Sequence, residues 1–179
     1  MPRLFTGLEI PEAVAAALVP HRGGLRNARW IEPADYHITL RFVGDVDAEI
    51  ADALHAALVQ ARPRIPFEVV LDGIGCFGGD KPRAIFASVA PNPVLADLQA
   101  EHERLAREAG APPERRKFTP HVTLARLRRA AVPQEVALYL AQQGFFTALR
   151  FTATRVALFS ARDSTGGGPY LVEAAYPLG

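Results

Sequence analysis

Apolar and polar residues along this chain follow two periods, and the switches between them mark its elements. Arg3 to Ile10, RLFTGLEI, alternates as a strand does, and Pro11 opens a helix through EAVAAALV. Residues 37 to 44 alternate again. Asp45 or Asp47 then caps a helix through AEIADALHAALVQA, with Ile50, Leu54 and Leu58 on one face. FEVVLDGIGCF (67–77) is β-rich with a glycine interruption, GGDKPR (78–83) is a turn, and AIFASVA (84–90) is a strand. Asn92-Pro93 starts a third helix that runs to Gly110 with Leu95, Leu98 and Leu105 inward.

The second half repeats that order. FTPHVTLARL is strand-like, PQEVALYLAQQ helical, FTATRVALFSA (151–161) a strand, STGGGPY (164–170) a turn and YLVEAAY (170–176) a closing strand. His121 follows His37 by 84 residues, and Phe151 follows Phe67 by the same 84. Two copies at one offset, with no low-complexity linker between them, predict an α+β fold in which residues 1–179 form a single two-lobed domain. The lobes are expected to be the two sequence halves related by a pseudo-twofold. Each is expected to be an antiparallel sheet with helices packed outside it, and the site is expected in the central cleft.

The repeat carries a chemical motif. HITL (37–40) and HVTL (121–124) each place a histidine two residues before a threonine. In a strand, residues i and i+2 project from one face. His37 and Thr39 therefore share a side, opposite Ile38, Leu40 and Phe42, and His121 and Thr123 share a side opposite Val122 and Leu124. A random arrangement of this composition yields about 0.02 matches to His-x-Thr-Leu, and the chain has two.

Two imidazoles titrate near neutrality, so one takes a proton while the other gives one. Displacement at phosphorus needs that division: one group deprotonates the attacking oxygen and the other protonates the leaving oxygen. The threonine hydroxyls suit the non-bridging oxygens as charge builds there. Near symmetry leaves acid and base interchangeable. Zinc would want further ligands; Asp35 could share the His37 face, but nothing acidic stands near His121 within KFTPHVTLAR, so metal-free chemistry is expected.

Composition narrows the setting. The net charge is +1 over 179 residues, so any attraction for anions must be local. Eighteen of the 20 basic residues are arginine, which suits phosphate but also follows from a composition bias. RRK (115–117) and RLRR (126–129) bracket the second motif and are expected to form a basic rim, or else a solvated loop. A single cysteine, Cys76, excludes an internal disulfide framework. The start lacks the build of a signal peptide, and no apolar run approaches the roughly 20 residues of a membrane helix. A cytoplasmic monomer off the membrane is expected.

With both motifs in view, the chain resembles the two-histidine (2H) phosphoesterase superfamily, specifically the RNA 2',3'-cyclic phosphodiesterases of the 2'-5' RNA ligase family. RLFTGLEIP resembles the first strand of that family, WIEPADYHITLRFVGDV its first motif with the trailing Phe42 and Gly44, and FTPHVTLARL its second. The resemblance implies hydrolysis of a ribose 2',3'-cyclic phosphate at RNA or oligonucleotide ends to a 2'-phosphomonoester, with no metal and no cofactor. It implies that His37 is the general acid, His121 the general base, Thr39 and Thr123 phosphate ligands, and Arg126 a further contact. Strict alternation puts Arg126 on the Val122 face, so that role needs a bulge near Ala125. Regular geometry instead favours Arg41, on the His37 side.

Small nucleotides as substrates, 2'-5' RNA ligation, a non-catalytic nucleotide-binding module and a metal-dependent phosphoesterase are the alternatives. Phe5, Trp30, Phe42 and Tyr170 are core candidates; any that lined the cleft could stack on a base, and Phe42 is carried as a substrate contact. His55 and His102 are expected to be structural or surface residues, and His21 solvent-exposed.

Overall fold

The computed structural model describes residues 3–161 and 168–179. Their strands are β1 (Arg3–Glu9), β2 (Ala28–Trp30), β3 (His37–Asp45), β4 (Phe67–Phe77), β5 (Ala84–Val89), β6 (His121–Leu127), β7 (Leu149–Ala153), β8 (Arg155–Ala161) and β9 (Tyr170–Pro177). The helices are α1 (Glu12–Leu18), α2 (Ala48–Val59), α3 (Pro93–Glu108) and α4 (Pro133–Gln142). Helix starts follow local chemistry. Asp47 accepts the Ile50 N–H at 2.9 Å, and Asn92 accepts the Leu95 N–H at 3.0 Å ahead of Pro93.

One antiparallel sheet runs β7-β4-β5-β6-β3-β1-β8-β9, with β2 paired to β6. The α+β class therefore holds, but the lobes are not the two sequence halves. The first motif, on β3, sits beside β1, β8 and β9; the second, on β6, sits beside β5, β4 and β7. Each half of the chain sends its later strands to the other motif. The equivalent units are β1-α1-β3-α2-β4 and β5-α3-β6-α4-β8, since β1 lies between β3 and β8 as β5 lies between β6 and β4. A repeat in sequence does not reveal such an exchange, because pairing is non-local. The two groups of strands meet where Ile38 pairs with Val122.

Two other expectations change. The strand expected over 151–161 breaks at Thr154 into β7 and β8, which pair with different partners. The turn over 164–170 lies largely outside the described residues.

Aliphatic residues pack on the helical face of the sheet. Ile38, Leu40, Val122, Leu124 and Ala125 join Val14 and Leu18 of α1 with Val136 and Tyr139 of α4. Leu4 and Val43 join Leu54 and Leu58 of α2 with Leu105 of α3. A separate cluster of Phe5, Ala157 and Phe159, with Tyr170 packed on it, lies against His37 on the other face. Trp30 turns to the helical side, 5.8 Å from Tyr139 between ring centroids.

Candidate active site

The Ile38–Val122 pair fixes the centre. Antiparallel pairing there sets His37 across from Thr123 and Thr39 across from His121, so the four polar side chains occupy the corners of a square on the face opposite the core. The histidines take one diagonal, about 7–8 Å between backbones in a regular ladder. That span suits one phosphate with a hydrogen bond on either side.

Both rings are held alike. The Nδ1–H of His37 donates to the carbonyl of Asp35 at 2.9 Å, and the Nδ1–H of His121 donates to the carbonyl of Thr119 at 2.6 Å. Each carbonyl lies two residues upstream of its ring, and each bond leaves Nε2 for chemistry. In the neutral His37 ring Nε2 is an acceptor, so the Thr39 hydroxyl donates to it at 3.0 Å.

Aromatic rings hold both imidazoles in place. Phe5, Tyr170 and Phe159 stand 4.8, 5.0 and 5.5 Å from the His37 ring centre. Phe77 and Phe86 stand 4.8 and 5.6 Å from that of His121. Phe86 reaches this position because residue 75 is glycine: a Cβ there would lie 2.7 Å from its ring.

This enclosure strips water from the charged form of both rings. Burial is the main reason that the pKa of His37 falls from 6.5 to about 4, with His121 and Arg126 adding repulsion against the bond to Asp35. Burial also lowers His121, opposed by the Thr119 carbonyl and helped by Arg126 and Arg83. His37 thus lies in the field of His121, and both rings lie in that of Arg126.

A matched pair of bulges explains Arg126. Against β1, Gly7 pairs with Thr39 and Thr6 with Arg41, so Leu40 is the extra residue; against β5, Phe86 pairs with Thr123 and Ile85 with Ala125, so Leu124 is the extra residue. Each bulge inverts the alternation beyond it. At Gly7 the strands come so close that a Cβ would sit 2.6 Å from the Ile38 carbonyl oxygen. Leu124 and Ala125 are both buried, which returns exposed Arg126 to the histidine face.

The same inversion overturns the expectation for Arg41. Its side chain lies on the helical face, buried, ion-paired with Glu103 of α3 and donating to the carbonyls of Phe42 and Pro112. It anchors strand to helix and stands away from the site. Phe42 moves the other way, onto the histidine face, and is 40% exposed. Phe42 and Arg126 each stand five residues after their histidine and occupy equivalent positions.

Sequence reasoning missed Arg83, which lies over the Phe77 ring at 5.8 Å, and the cage residues Phe77, Phe86 and Phe159. Their alternating strands were legible; their convergence on the imidazoles was not. The other histidines are structural: His55 bonds Tyr176 at 2.7 Å, His102 bonds Thr6 at 2.8 Å, and His21, expected in solvent, is half-buried and bonds Gln143 at 2.8 Å. Asp35 accepts the Tyr170 N–H at 3.2 Å. Among the described residues no three His, Cys, Asp or Glu side chains converge as metal ligands, and no helix is long and apolar enough to cross a membrane.

Comparison with known proteins gives the same assignment from several directions. The sequence profile of the 2'-5' RNA ligase superfamily matches residues 12–165. A protein of Bacillus subtilis named RNA 2',3'-cyclic phosphodiesterase is 33% identical over 130 residues, which is 70% of this chain and 71% of that protein. A Thermus thermophilus protein of the same name is 36% identical over 142 residues, covering 74% and 71%. A crystal structure of a Thermus thermophilus protein, TT0787, superposes with a TM-score of 0.79 at 27% identity, over 98% of this chain and 97% of that one. Escherichia coli LigT complexed with 3'-AMP superposes with a TM-score of 0.76 at 22% identity, over 99% of each chain, a likeness of fold. With the paired motifs and the shared fold, these matches make the chain a member of the 2'-5' RNA ligase superfamily.

Proposed function

We propose that the protein hydrolyses 2',3'-cyclic phosphodiester ends of RNA to 2'-phosphomonoesters. One observation carries the reading: two imidazoles, each tied through Nδ1 to a carbonyl, lie on the diagonal of a square completed by two threonine hydroxyls. The curated relatives of this chain carry the name of that activity.

In the reaction, a water oxygen attacks phosphorus while Nε2 of His121 takes its proton. The P–O3' bond breaks on the far side, and Nε2–H of His37 delivers a proton to the departing 3'-oxygen. The 2'-phosphate remains. Acid and base are allotted on the resemblance, since the geometry is nearly symmetric. Thr39 and Thr123 face the non-bridging oxygens and meet charge as it develops, while Arg126 adds its positive field from farther along β6.

Neutral His121 is ready to act as a base at pH 7, whereas His37, at about 4, must gain a proton. The bound anion supplies the cause. Its charge favours the imidazolium, and once Nε2 is protonated the Thr39 hydroxyl is released to donate to a phosphate oxygen. No step in this scheme uses a metal, and one chain holds both motifs, so a monomer is sufficient; the same reading places it in the cytoplasm, where RNA ends are processed.

Cyclic mononucleotides and short RNAs ending in a 2',3'-cyclic phosphate, incubated with and without EDTA, test this directly. The expected product is the 2'-phosphate at an unchanged rate in chelator. A 3'-phosphate product, or activity lost to EDTA and restored by metal, sinks the scheme.

A further inference from the structure

Beyond the histidines, β6 runs beside β2. In that ladder Arg29 is paired directly with Arg126, and both are exposed. Their neighbours Trp30 and Ala125, also paired, turn into the helical core, so the two arginines share the histidine face. Like charges directly opposite one another on adjacent strands are destabilising. Among the described residues neither guanidinium has an acidic partner, although nine other arginines do. The contrast is sharp at Arg3 on β1, which is paired directly with Asp45 and bridges to it at 3.4 Å. An anion between Arg29 and Arg126 would turn the repulsion into two charge-assisted contacts.

The placement identifies the anion. Along the edge of β6, Val122 faces Ile38 and Thr123 faces His37; the Leu124 carbonyl then accepts the Ile31 N–H at 2.8 Å, and Ala125 and Arg126 face Trp30 and Arg29. The arginine pair therefore stands two to three residues beyond the His37–Thr123 level, roughly 7–10 Å along the strand, a distance on the order of one nucleotide. Exposed Arg128 and Arg129 continue the basic edge, which a bond from Arg128 N–H to the Asn27 carbonyl at 2.8 Å holds to the β2 segment.

We infer that Arg29, together with Arg126, binds the phosphate on the 5' side of the terminal nucleotide, so that the site is built for an RNA strand and distinguishes it from a free cyclic mononucleotide. The inference rests on the proposed reaction only for the placement of the cyclic end. Three substrates test it: a cyclic mononucleotide with a free 5'-hydroxyl, the same nucleotide with a 5'-phosphate, and a dinucleotide with the same cyclic end.

The wild-type kcat/KM is expected to rise about tenfold on adding the 5'-phosphate or the diester. Arg29→Gln is expected to erase that gain, with at most a twofold change on the 5'-hydroxyl substrate. The slope of log kcat/KM against log salt for the dinucleotide should shrink by about one. Equal efficiency on all three substrates, or an equal loss on all three in the variant, overturns the subsite. Anisotropy of a labelled RNA ending in a 2'-phosphate keeps the question open to test even if no substrate is hydrolysed. Arg29→Gln should then bind about tenfold more weakly, and undiminished binding refutes the inference while leaving the reaction to be judged by its own assay.

Discussion

The strands around His37 and those around His121 use the same backbone device to different chemical ends. Both present His-x-Thr on a strand that bulges at the following leucine, and both brace the imidazole with aromatic rings. The residue that the bulge delivers to the site differs: Phe42 on one side, Arg126 on the other. The first side is apolar, with Phe5, Phe159 and Tyr170 around a ring whose pKa falls to about 4. The second carries Arg83, Arg126 and Arg29 beside a ring that burial also lowers. A near-symmetric scaffold thus becomes an asymmetric site without any change in its strand geometry. One side suits the uncharged part of a nucleotide and the other its phosphates.

Removing either imidazole breaks the comparison most severely. His37→Ala and His121→Ala are each expected to lower kcat on a 2',3'-cyclic phosphate by about 10²–10⁴-fold with the fold intact. Full activity in either one removes the acid–base pair from consideration.

Next in size is a residue that the bulge turns away. Arg41→Ala takes the cation from half-buried Glu103 and the donor from the carbonyls of Phe42 and Pro112, and a loss of about 2–3 kcal/mol is expected in denaturant unfolding. A variant as stable as the parent, but inactive, would return Arg41 to the site.

Arg126→Gln probes the cation directly, with an expected loss of about 10–100-fold in kcat/KM. The pH profile sharpens this. With His37 near 4 and His121 lowered from its ordinary value, the form with one ring protonated and one neutral is most populated on the acid side of neutrality. The kcat/KM of the free enzyme should peak there and fall as pH rises past neutrality. Arg126 disfavours protonation of both rings, so the glutamine variant should move both limbs to higher pH; unmoved limbs would place the arginine outside their field.

The smallest effect is expected at Phe42. Phe42→Ala should raise KM about fivefold for substrates whose base reaches that face, with kcat nearly unchanged. Equal effects on substrates with and without a base would deny it a stacking role.

The sequence by itself determined the helices, most of the strands, and the two His-x-Thr pairs with their equivalence, because these are written in local periods and in a fixed offset of 84 residues. Caps such as Asp47 and Asn92 were equally local. What lay beyond it depended on partners distant in the chain. The exchange of β4 and β8 between the two motifs is a choice of pairing that no local signal carries. The bulges at Leu40 and Leu124 exist only in register with β1 and β5, and they decide that Arg41 goes to the core while Phe42 and Arg126 go to the site. Three-residue β2 is too short to show a period, yet it sets Arg29 against Arg126. Side-chain alternation is a property of one strand, whereas the face it finally presents is set by the neighbouring strand.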